Sequence, residues 1–94
     1  MNIIEHMMKL YNEGLEELMG AQKYAKHADK AGATEEGTMY KTMARQELEH
    51  AHMLIKGGDK LFSGVDSSDS LKMVWNSLRE HLMDWHRDIE RKIA

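Results

Sequence analysis

The chain has 94 residues, 13 basic and 16 acidic side chains, a formal net charge of −3, and neither cysteine nor proline. That length is room for one domain covering residues 1–94; the lack of cysteine excludes disulfides and thiolate metal sites, so any transition metal must be held by carboxylate and imidazole. Interspersed charges without a basic patch speak against nucleic-acid binding, no apolar run approaches the roughly 20 residues of a membrane span, and "MNIIEHMMKLYNEG", broken by Glu5, His6 and Lys9, does not read as a signal peptide. A cytoplasmic protein is expected.

Alanine, leucine, methionine, glutamate and lysine dominate, and with no proline the reading is all-α. A first helix is expected to start at Asn2, since "NIIE" places Glu5 three residues after a capping side chain. It runs to about Ala31, with Gly32 as its stop. Thr34 caps a second helix with Glu35 and Glu36 in its first turn, and "KGG" at Lys56–Gly58 ends it. "DKLFSGVDSSDS" reads as a loop. Ser67, Ser68 or Ser70 caps a third helix that reaches nearly to Ala94. That helix is amphipathic, with Leu71, Val74, Trp75, Leu78, Leu82, Trp85 and Ile89 on one stripe. His81 and His86 flank the stripe and read as surface or boundary residues, and Trp75 and Trp85 as anchors of a core or an interface. The first helix has its own stripe of Ile4, Met7, Tyr11, Leu15, Leu18, Gln22 and Ala25. The expected architecture is an antiparallel helical hairpin plus a third amphipathic helix.

"RQELEHAHML", from Arg45 to Leu54, breaks the pattern. On a wheel of roughly 100° per residue, Tyr40, Met43, Ala44, Ala51 and Leu54 cluster with Glu47 at their centre. His50 lies at the cluster's edge, and Glu49 and His52 point away from it. An ionised carboxylate in an apolar stripe must be protonated, paired or metal-bound. A structural pair with arginine or tyrosine is the commoner solution. His50, however, lies three residues beyond Glu47 on one helix face, and Glu-x-x-His is the repeating unit of di-iron carboxylate bundles. In the first helix Glu17 lies at the margin of the apolar side, in line with Leu10, Ala21 and Ala28, while Glu13 and Glu16 face outward. Tyr24 follows Glu17 by two turns. Glu17, Glu47 and His50 are the candidate metal ligands.

Glu17, Tyr24 and then Glu47-x-x-His50, in that order and register, resemble the metal half-site of the ferritin-like superfamily. The short chain with a single half-site is most similar to the encapsulated-ferritin type, over roughly Leu10 to Leu54. The resemblance implies a non-heme di-iron centre that oxidises Fe(II) with oxygen or peroxide, a ferroxidase-type oxidoreductase activity. Glu17, Glu47 and His50 would be its metal-binding and catalytic residues, and Tyr24 would stand next to them. Of the acidic and aromatic residues near that type's metal entry only Glu16 has a counterpart here, because Met19 and Lys23 stand in place of a carboxylate and a tryptophan. The C-terminal "HRDIERKIA" reads as helix and not as a detachable targeting tail, which speaks against an encapsulin shell as partner.

One chain offers two carboxylates and one imidazole, half of what a di-iron bundle requires. A twofold homodimer, or a higher multiple of it, completes the count as a ferritin-like four-helix bundle with two iron ions per dimer. Manganese and zinc suit the same ligands. Two other readings fit the sequence. One is a metal-free helical dimerisation or protein-interaction module built on its nine methionines. The other is a di-iron peroxide-reducing protein, although without cysteine it has no rubredoxin-like centre.

Overall fold

The Asn2 side chain accepts a hydrogen bond from the Glu5 backbone N–H at 2.8 Å and donates its amide to the Glu5 carboxylate at 2.9 Å. This is a reciprocal cap at the start of the first helix. In the computed structural model, which describes residues 1–94, that helix, α1, spans Ile3–Ala31. It ends at Gly32, whose positive φ of 65° suits glycine and whose N–H donates to the Ala28 carbonyl. Thr34 caps α2 (Glu35–Leu61) by accepting from the Gly37 N–H at 3.0 Å. The third helix, α3, spans Ser70–Ile93.

Two expected boundaries differ. The second helix continues through Gly57 and Gly58 to Leu61. Gly58 serves close packing rather than termination: a Cβ there would lie 1.9 Å from Cζ2 of Trp75, so only glycine lets the indole rest on the helix backbone. The cap of α3 is Asp69, not one of the serines; its carboxylate accepts from the N–H groups of Leu71 and Lys72. Asp is as good a cap as Ser and adds a negative charge at the positive helix end.

The helices α1 and α2 form an antiparallel hairpin, and α3 packs over one side of it. The main core joins all three through Leu18, Ala21, Ala44, Leu48, Ala51, Ile55, Leu82 and Ile89. A second cluster of Met7, Phe62 and Trp75 fills the end where the α2–α3 loop turns. There the Trp75 indole N–H donates to Asp59 at 2.9 Å, and Arg79 donates to the same carboxylate at 2.8 and 3.0 Å. At the other end Arg45 donates to the Ile93 carbonyl at 3.2 Å and ties α2 to the last turn of α3. Trp85 is half-buried, with its indole N–H bonded to the Gln22 amide oxygen at 2.9 Å. Val74 and Ile4, expected on the apolar stripes, are exposed. His86, read as a surface or boundary residue, is buried against α2.

The slab measures 49 × 23 × 15 Å, long and thin for its size. Its side away from α3 carries two rows of residues, half-buried except for the exposed His50. Leu10, Glu13, Glu17, Gly20 and Tyr24 recur at helical spacing along α1; Tyr40, Met43, Glu47, His50 and Leu54 do so along α2. No helix is long and apolar enough to cross a membrane.

Candidate metal centre

The buried stripe of α2 runs through Ala44, Leu48, Ala51 and Ile55, about one residue round from the centre the sequence indicated. Glu47 therefore sits at the stripe's edge, half-buried, and not in the middle of the core. The correction has a simple cause. A hairpin with a third helix on one side buries the residues facing both neighbours most deeply, and Leu48 occupies that position. Tyr40, Met43 and Leu54 belong to the seam on the other side.

Across that seam the helix pairing brings Glu17 of α1 to Glu47 and His50 of α2. One ligand atom from each of the three lies within 4.8 Å of the others. His50 Nδ1 is 3.5 Å from the Glu17 carboxylate, with 56% and 30% of the two side chains exposed. Two donors about 2.1 Å from a shared metal stand roughly 3.0 to 3.5 Å apart for right-angled to tetrahedral geometry. The Glu17–His50 pair has that separation.

The carboxyl of Glu47 is held above its ordinary range. A hydrogen bond with Glu17 is the main cause, followed by desolvation and the like charge of Glu17, with opposition from His50. Two carboxylates sharing one site retain a proton because both cannot ionise freely. A metal cation relieves the same repulsion, and its binding displaces the proton.

Gly20, unnoticed in the sequence, makes room for this arrangement. It lies one turn beyond Glu17, and a Cβ there would meet the Glu47 carboxylate oxygen at 3.2 Å and its Cδ at 3.5 Å. Glycine in a helix interior usually costs stability, and that penalty was the only available signal. Tyr24 stacks on Tyr40 with ring centroids 6.3 Å apart, and His27 approaches the same Tyr40 ring at 5.0 Å. These rings adjoin one another along the seam. In the other direction the site opens into a shallow groove lined by Glu13, Glu16, Glu17, His50, Met53 and Leu54. Glu13, read from the sequence as outward-facing, lines this groove with Glu16. Comparisons with protein-family models, curated proteins and solved structures find no match to this chain.

Proposed function

We propose that the chain binds iron at the α1/α2 seam, and that two chains meet there to form a ferritin-like di-iron centre with ferroxidase activity. The observation that carries this reading is the convergence of Glu17, Glu47 and His50 within 4.8 Å. The donor set fits the metal: carboxylate and imidazole, without thiolate, suit Fe(II) and Mn(II), with zinc as a redox-inert substitute. Bound at such a centre, iron supplies one-electron redox chemistry toward oxygen or peroxide.

The residues of this chain have separable tasks. Glu17 and His50 hold a pair of donors at bonding separation. Glu47 would give up the proton it shares with Glu17 and supply the third donor. Glu13 and Glu16 give the groove the negative potential that attracts a cation. Tyr24, aligned with Glu17 along α1, shields the seam and offers a phenol near it.

Three ligands per chain complete a two-metal site only when a second seam faces the first. The half-buried Leu10, Tyr24, Tyr40, Met43 and Leu54 supply apolar surface for that contact. The alternative of a metal-free interaction module draws support from exposed Met39 and Met53 beside the same seam. Iron content and native mass separate the two. The metal reading expects two Fe(II) per dimer in the parent and loss of stoichiometric iron in Glu47→Ala. Metal that binds only the dimer stabilises it by about 2.7 kcal/mol at one hundred times its dissociation constant, so Fe(II) or Zn(II) shifts native mass toward dimers and chelator shifts it back. Iron bound equally well by Glu47→Ala, or a monomer holding one tight metal at high protein concentration, overturns the shared centre.

A further inference from the structure

The groove that opens from the α1/α2 cluster carries a sulfur that metal binding does not use. It encloses about 420 Å³ between Glu13, Glu16 and Glu17 of α1 and His50, Met53 and Leu54 of α2. Met53 lies three residues beyond His50, so the two side chains share a helix face and adjoin one another. Its thioether is the only sulfur among the lining residues, and 67% of the residue is exposed. Carboxylates and the Leu54 hydrocarbon do not take up oxygen from a peroxide; a thioether does, and becomes a sulfoxide.

We propose that Met53 is an oxidation site, converted to methionine sulfoxide by hydrogen peroxide that leaves the metal centre through this groove. The inference rests on the ferroxidase reading, in which two Fe(II) pass two electrons to one oxygen molecule and two protons from water complete hydrogen peroxide. The Met53 sulfur then gives an electron pair to one peroxide oxygen. The S–O bond forms as the O–O bond breaks, and the second oxygen leaves as water with both peroxide protons. Sulfur is oxidised by two electrons and the peroxide is reduced by the same two.

Position, and not accessibility, singles out Met53. Met1 and Met19 are comparably open to solvent, at 78% and 61%. Neither lines the groove. Peroxide arriving from solvent meets all three thioethers alike. Peroxide formed beside His50 meets Met53 before it is diluted, and a reactant held next to its target acts at a high effective concentration. The product is a polar side chain in place of a flexible apolar one, next to Leu54 of the seam.

Peptide mapping by mass spectrometry on the full chain tests the site. Two reactions are compared: Fe(II) oxidised in air with catalase present to remove peroxide from solution, and hydrogen peroxide added to the metal-free chain. In each, the fraction of Met53 that gains one oxygen is divided by the fraction of Met1 and of Met19 that does. The ratio is expected to be about tenfold higher during Fe(II) oxidation than with added peroxide, and to fall back to the added-peroxide value in Glu47→Ala. Fe(II) oxidised by the parent with no rise in the ratio overturns the Met53 site and leaves the ferroxidase reading standing. A rise that persists in Glu47→Ala also overturns it, because the oxidant then does not come from the Glu17, Glu47 and His50 centre. Fe(II) oxidised by the parent no faster than in buffer overturns both.

Discussion

Replacing Gly20 by alanine separates the demands of the fold from those of the metal centre. Gly20 lies within α1, where alanine is favoured over glycine by about 0.8–1.0 kcal/mol. The new methyl would contact Glu47 at 3.2 Å from a carboxylate oxygen, 3.5 Å from Cδ and 3.6 Å from Cγ. These atoms belong to the mobile end of a side chain, which yields by a few tenths of an ångström without disturbing the backbone. Metal-free Gly20→Ala is therefore expected to be more stable than the parent by up to about 1 kcal/mol, a rise in melting temperature of roughly 4–8 °C for a domain this size. Metal affinity moves the other way. A carboxylate displaced from its position beside Glu17 binds more weakly, and a loss of about tenfold is expected, at the lower end of the effect of removing a neighbour that orients a ligand. Thermal denaturation with chelator gives the first quantity and Fe(II) or Zn(II) titration the second. A variant that binds metal as tightly as the parent would mean that Glu47 is not a ligand or that its position is not set by Gly20.

Glu47→Gln tests the shared proton. Because the Glu47 carboxyl is held above its ordinary value of 4.5, the folded chain keeps a proton there that the unfolded chain has released. That contribution is complete below 4.5 and is lost as pH rises through the raised value. A carboxamide does not titrate, so the stability of metal-free Glu47→Gln relative to the parent should climb across this window; urea denaturation from pH 4 to pH 8 measures it, and parallel curves would remove the coupling to Glu17. Gly58→Ala examines the other close approach: a methyl 1.9 Å from the Trp75 ring must push the indole away, and overpacking of this kind costs about 1–3 kcal/mol. Its signature is a lower melting temperature with a changed tryptophan emission, and full native stability would show that the corner between α2 and α3 packs differently.

The linear order of residues was enough for three helices and for two of their caps. Asn2 with Glu5 and Thr34 with the turn after it act within four residues of themselves, and local contacts of that range are written in sequence. Periodicity likewise identified the apolar sides of α1 and α3 in the main, and the Glu-x-x-His spacing nominated Glu47 and His50. The rotation of α2 could not be settled that way. A helix packed against two others buries the side facing both, and whether that side centres on Glu47 or on Leu48 depends on where α3 comes to rest. The same dependence hid the helical glycines. Gly58 reads as a stop until the Trp75 indole is found on its backbone, and Gly20 reads as a weakness until Glu47 arrives from the neighbouring helix. His86 looked like a boundary residue because nothing near it in the chain reveals that the Leu48 carbonyl, 38 residues away, accepts its hydrogen bond. Local capping and periodicity depend on neighbours along the chain; burial, close approach and converging ligands depend on neighbours across it, which the packing of α3 on the hairpin alone decides.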